Sequence, residues 1–209
     1  MKRRTFLGHA GTLAAMPVVL PYLSGPFTAT AAPLRVNGPR LNEWLTSFDR
    51  IGRTPTGINR VAYSEADLAG RAFTLQLLRD AGLTPRIDTA GNIYARLDGT
   101  DRTLAPILIG SHIDSVTDGG NFDGPVGSFG AIEVARTLRE KGTRLRHPLD
   151  VVIWQNEEGG TTGSKTAIGE MNDVELAKVA RSGKTIRDGI GIIGGDVSRL
   201  SESVKKKGD

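Results

Sequence analysis

The sequence contains no cysteine, which excludes a disulfide scaffold, a thiolate metal site and a cysteine nucleophile. Aromatic residues make up only 5% of the chain and no basic stripe is interleaved with them, so there is no nucleic-acid surface to read. Long apolar runs are also missing. The one N-terminal stretch that approaches such a run is interrupted by His9, Pro17 and Pro21, and no stable membrane span is expected from it. Histidine is scarce, with three in all, His9, His112 and His147. The formal net charge is +4, but part of the basic excess sits at the ends, in Lys2-Arg3-Arg4 and Lys205-Lys206-Lys207. With 209 residues and ordinary globular composition, one or at most two domains are expected. There is no internal repeat and no low-complexity segment.

What is present begins with a targeting segment. Residues 1–31 combine a basic start, a weakly apolar stretch and the small residues Ala29-Thr30-Ala31, the pattern of a cleavable signal peptide. Arg3-Arg4-Thr5-Phe6-Leu7 has the form of a twin-arginine export motif. Cleavage near Ala31 and a periplasmic or extracellular location are expected, with the folded part in residues 32–209.

Along that part, Leu41 to Ile51 alternates apolar and polar residues at helical spacing. Ser64-Glu65-Ala66-Asp67 has the form of a capping box, Leu68, Ala72, Leu75 and Leu78 fall on one helical face, and Gly82 is placed to end the helix. The pieces "TPRID" and "NIYARL" read as short strands, and "APILIGSH" as a fully buried strand. Pro125 opens a further helix with a buried stripe of Ala131, Val134, Ala135 and Leu138, closed by Gly142. "LDVVIWQNEE" is a second buried strand ending in acids. Strand, helix and strand with short links predict a right-handed parallel crossover in an α/β fold, with a mostly parallel central sheet flanked by helices.

In such sheets functional groups gather at the carboxyl ends of the strands. His112 ends one predicted strand and Glu157-Glu158 end the other, with Asp123 eleven residues past His112 across a glycine-rich loop. Imidazole and carboxylate together suit zinc, manganese, cobalt or nickel. Asp114, two residues from His112, is placed to accept the other ring N–H. Of the two adjacent glutamates, one can bind an ion while the other stays free as a general base. Taken singly, a strand-end histidine, an aspartate before glycine and a pair of glutamates each read more plainly as structural or solvated residues. Their coincidence at converging strand ends is what points to a metal. "GGTTGSKT", residues 159–166, imitates a phosphate-binding loop, but Ser164 stands where that loop needs glycine before the lysine, and two acids precede it.

"GSHIDSVTDGGNFDGPVG" and "WQNEEGG" resemble the two metal-binding segments of the hydantoinase/carbamoylase family of amidases, which includes N-carbamoyl-L-amino acid hydrolases, allantoate amidohydrolases and β-ureidopropionases. "RVAYSEADLAGRAFTLQLLRDAGLTPRIDTAGNIYARLDG" resembles that family's first helix and strands, and "GKTIRDGIGIIGGD" the segment before its second domain. The resemblance implies a zinc-exopeptidase-like catalytic domain with two divalent metal ions. His112 would bind the first, Asp123 would bridge both and Glu158 would bind the second. Glu157 would be the general base, Asp114 would orient His112, and the Asp123–Gly124 peptide would be a candidate cis bond. The reaction would be hydrolysis of a carbamoyl or amide C–N bond in a small-molecule substrate.

The resemblance also implies two further histidine ligands in later segments, which this sequence does not carry: His9 lies in the signal and His147 in "RLRHPLD". The chain is therefore expected to be the N-terminal part of such an enzyme, lacking its dimerisation domain and inactive alone, with a homodimer expected only of the full-length form. Where the family often has arginine and phenylalanine after the glutamates, this sequence has Thr161 and Thr162. The rival readings are an aminoacylase or metallopeptidase of the same group, and a non-catalytic exported protein with a degenerate metal site.

Overall fold

Asn37 opens the first helix, α1 (Gly38–Phe48), by accepting the Arg40 N–H on its side chain, which satisfies one of the donors a helix start leaves unpaired. The structure, a computed structural model, describes residues 33–206. The expected signal peptide, its arginine pair and the cleavage site near Ala31 lie outside the described residues. Helix α1 starts and ends three residues earlier than the periodicity alone predicts, and buries Trp44, Leu45 and Phe48. Helix α2 (Glu65–Asp80) begins at the expected cap, with Ser64 accepting the Asp67 N–H at 3.2 Å. Asp67 reaches back one residue further than a capping box requires, to the Tyr63 N–H at 2.8 Å. The chain leaves α2 at Gly82, as expected.

Four strands follow: β1 (Pro85–Ile87), β2 (Ile93–Leu97), β3 (Ile107–His112) and β4 (Leu149–Trp154). They form one sheet in the order β1-β2-β4-β3. β3 and β4 are parallel and joined through helix α3 (Pro125–Glu140), the crossover the sequence predicts. The expectation of a mostly parallel sheet is corrected to a mixed one, because β1–β2 and β2–β4 are both antiparallel. The cause is local. Asp88 accepts the N–H groups of Ala90 and Asn92 on its side chain and folds the five residues Asp88–Asn92 into a tight reversal, and a link that short can only join antiparallel neighbours. An apolar run reports burial and not strand direction.

The burial pattern carries three more corrections. β4 is central and buried, but β3 is an edge strand with Ile107 46% and Leu108 44% exposed, so its unbroken apolar run does not mark a fully buried strand. Ala72 and Val134 also face solvent. Helix α2 instead buries Arg71, Thr74, Leu77 and Leu78, with Leu68 and Leu75 only partly covered.

The main core lies on one face of the sheet, between Ile93, Ala95, Val151 and Ile153 of the strands and the buried sides of α1, α2 and α3. Three phenylalanines pack together there. Phe48 and Phe129 meet edge to face at 4.8 Å between ring centroids, with Phe73 beside them. Arg40 ties α1 to α3 through the fully buried Glu133 at 2.7 Å. On the other face, Lys205 lies over the Tyr94 ring and its N–H bonds to Ala167 at the end of helix α4 (Thr162–Ala167). Helices α5 (Asp173–Ala177) and α6 (Ile186–Ile192) build a smaller apolar cluster around Tyr63. No helix among the described residues is long and apolar enough to cross a membrane.

Candidate metal centre

β3 and β4 run parallel with His112 in register opposite Trp154, so the chain past Trp154 emerges beside the imidazole. This puts the acids of "QNEE" next to the histidine of "GSH" without any long excursion. His112 is held at its backbone by Ser128 of α3, whose hydroxyl donates to the His112 carbonyl at 2.7 Å. Gly124, the N-cap of α3, has φ +82, and a Cβ there would stand 2.6 Å from the imidazole ring. Only glycine allows both that conformation and that approach, and the approach delivers the preceding residue, Asp123, to the ring edge.

The result is a convergence of donors. Ligand atoms of His112, Asp123 and Glu158 lie within 4.8 Å of one another. His112 Nε2 is 3.7 Å from Asp123 Oδ1 and 3.6 Å from Glu157 Oε2. The imidazole is buried while the Asp123 carboxylate is open to solvent, so a small molecule can approach from the acid side. All the residues expected at the site therefore come together, with Glu157 3.6 Å from the imidazole and a Glu158 oxygen within 4.8 Å of it. His147 is apart from them; its Nδ1 pairs with the Ala105 carbonyl at 2.8 Å. Lys165 of the imitation phosphate loop faces Glu175 at 3.6 Å.

Asp114 holds the centre together in a way its spacing did not predict. His112 Nδ1 lies 3.1 Å from the backbone carbonyl of Asp114 and 3.6 Å from its carboxylate. The carboxylate accepts two successive N–H groups, Glu157 at 3.2 Å and Glu158 at 3.1 Å. One buried side chain thus joins the histidine segment to the glutamate segment. The expectation of a cis Asp123–Gly124 bond is corrected: no cis peptide occurs among the described residues, and the turn is made by the positive φ of Gly124 instead.

The electrostatics describe a site with too much negative charge. Burial, together with the carboxylates of Asp123, Glu157 and Asp114, holds Glu158 above its ordinary value against the pull of His112. At His112 burial opposes the charged form, but Asp114 and Glu157 outweigh it and lift the imidazole to about 9. Four carboxylates around one imidazole favour a cation, and the nitrogen and oxygen donor set fits zinc, manganese, cobalt or nickel.

Sequence reasoning missed the supports. Arg60 is fully buried in what reads as a turn-rich link. Its guanidinium donates to the Ile113 carbonyl at 2.6 Å and the Ile51 carbonyl at 2.8 Å, and lies 3.8 Å over Phe48. Ser115 accepts the Arg60 N–H on its hydroxyl and donates its own N–H to the Arg60 carbonyl. An arginine flanked by Ile58 and Val61 was the available signal.

Residues 92–181 match the profile of Peptidase family M28. N-carbamoyl-L-amino acid amidohydrolase of Geobacillus stearothermophilus is 32% identical over 179 residues, covering 83% of this chain and 44% of the relative. Ureidoglycolate hydrolase of Arabidopsis thaliana is 33% identical over 129 residues, 61% of this chain and 27% of the relative. A solved hydantoinase/carbamoylase family amidase from Burkholderia ambifaria superimposes with a TM-score of 0.71 at 39% identity, over 78% of this chain and 43% of that one. The chain spans a little under half the length of the two amidohydrolases matched over most of it. Over that span, in sequence and in fold, the chain is similar to the hydantoinase/carbamoylase family of amidases.

Proposed function

We propose that this chain supplies ligands and the general base of a metal-dependent hydrolase of linear carbamoyl or ureido C–N bonds. The observation that carries the reading is the convergence of His112, Asp123 and Glu158 within 4.8 Å, with Glu157 beside them. Relatives named for N-carbamoyl amino acids and for ureidoglycolate support the substrate class.

A divalent ion held by His112, Asp123 and Glu158 would supply Lewis acidity, polarising the scissile carbonyl and acidifying water. A second ion, which the family resemblance implies, would be shared through Asp123, whose carboxylate is open to solvent. Glu157 takes a proton from the attacking water and returns it to the leaving nitrogen. The water oxygen bonds to the carbonyl carbon, the C–N bond breaks, and the nitrogen departs with that proton. Asp114 keeps His112 and both glutamates in register throughout. Three protein ligands leave coordination positions open, so tight binding and full turnover belong to a site completed by further ligands. The twin-arginine pattern of residues 3–7 supports action outside the cytoplasm.

The test has two parts. Equilibrium dialysis of the purified chain against zinc or manganese should show weak divalent binding that His112→Ala abolishes; a chain that takes up neither ion sinks the metal reading. Joined to the C-terminal half of the Geobacillus stearothermophilus relative, the chain should release amine from N-carbamoyl amino acids or ureidoglycolate in a metal-dependent way. A folded, metal-loaded fusion inert to every carbamoyl and ureido compound would refute the substrate class.

A further inference from the structure

Residues that touch neither an ion nor a substrate hold the glutamate segment in shape. Asn156, the residue before Glu157, is 2% exposed and adopts φ +46, a left-handed conformation that asparagine tolerates better than most residues but does not prefer. Its Nδ2 donates to the Thr162 hydroxyl at 2.7 Å, and its carbonyl accepts the Thr162 N–H at 3.1 Å. The Asn156 amide oxygen has no partner among the described residues, so the side chain is anchored through Thr162 alone. A left-handed residue at this point turns the next two N–H groups to one side, the concave arrangement that receives an anion. Here the anion is the Asp114 carboxylate, which accepts the N–H groups of both Glu157 and Glu158.

We propose that Thr162 is a positioning residue: its hydroxyl fixes Asn156 in the left-handed conformation and thereby sets Glu157 and Glu158 against Asp114 and His112. The inference rests on the metal reading above. Thr162 suits the role because it is itself immobilised. It is 3% exposed, opens α4, and receives the Thr166 hydroxyl on its carbonyl at 2.9 Å. The Tyr63 phenol packs beside its hydroxyl while donating to Gln155 Oε1 at 2.7 Å. The linkage runs from α4 through Thr162, Asn156, the paired N–H groups and Asp114 to the imidazole.

Cobalt titration of the purified chain, read by visible absorption, tests this. Thr162→Val keeps the shape and removes the acceptor; cobalt affinity should fall about tenfold, the lower end of what supporting partners of metal ligands contribute, and the absorption bands should shift. Thr162→Ser keeps the hydroxyl and should restore both. A purely structural role would lower the melting temperature of Thr162→Val yet leave the cobalt spectrum and affinity of the folded protein unchanged, and that result overturns the proposal. If Thr162→Val does not fold, Asn156→Ala takes its place, since alanine breaks the anchor without the freedom at φ +46 that glycine would have; wild-type cobalt binding by that variant is equally fatal. Failure of the unaltered chain to bind cobalt would remove the metal reading and this inference with it. Equal binding by the unaltered chain and Thr162→Val would remove this inference alone.

Discussion

Glu157 and Glu158 are neighbours that should respond differently to the same change. On the roles proposed above, Glu157→Gln in the completed fusion removes the base and keeps the ions, so turnover should fall about 10²–10⁴-fold at unchanged metal content. Glu158→Gln removes a charged ligand, so metal content should fall with activity, and excess metal should restore part of it. Metal analysis beside the rate measurement separates the two; equal metal loss in both variants would show the roles to be misassigned. His112, Asp123 and the two glutamates were legible in sequence because each combines a chemically distinctive side chain with a strand end or a glycine loop. Arg60, Asn156 and Thr162 were not. Their work is done through backbone carbonyls and N–H groups brought near by folding, and no spacing rule records a contact such as Arg60 to Ile113, which joins residues 53 positions apart.

At the scale of elements, the crossover β3–α3–β4 was legible because Pro125 and Gly142 bracket a helix between two apolar runs. The sheet's mixed direction was not, because the Asp88 side-chain turn that reverses the chain looks like any polar link. Nor could an apolar run tell the central β4 from the edge strand β3. Where α3 begins decides where Asp123 lies, and Gly124→Ala should show it. The new Cβ would meet the His112 ring at 2.6 Å in a conformation with φ +82, a combination expected to destabilise by about 2 kcal/mol and to weaken metal binding as the ring moves. Urea unfolding and dialysis on the same variant check both; unchanged metal affinity would mean that α3 does not set the site. Helix α2 offers a pH test. Burial lifts Asp67 to about 6 against the pull of Arg71, with Arg60 acting in the same sense as Arg71 and Asp114 in the opposite one. A carboxyl raised in the folded state stabilises the fold below its unfolded value of about 4 and loses that contribution as pH rises through about 6. The stability of the unaltered chain relative to Asp67→Asn should therefore drop by about 1–3 kcal/mol between pH 4 and 7. A flat difference across that range in denaturant melts would show Asp67 to be ionised throughout.

From Leu34 onward the chain forms one compact unit, and the candidate centre draws on widely separated parts of it. β3 brings His112, the loop before α3 brings Asp123, β4 leads to the glutamates, and Arg60 braces the chain just past β3. An ion that binds only when these parts are assembled must stabilise the whole unit rather than one loop, because binding to the folded state alone shifts the unfolding equilibrium by mass action. At zinc concentrations tenfold above the dissociation constant the gain is about 1.4 kcal/mol. For a unit of this size each kcal/mol moves the melting temperature by about 2–4 °C. Calorimetry of the isolated chain should therefore show a single transition rising by a few degrees with zinc, and the rise should vanish in His112→Ala. A rise of equal size in His112→Ala would place the ion elsewhere. A second transition that alone responded to zinc would mean the metal segments unfold independently, and the linkage from α4 through Asp114 to the imidazole would then have no hold on the rest of the fold.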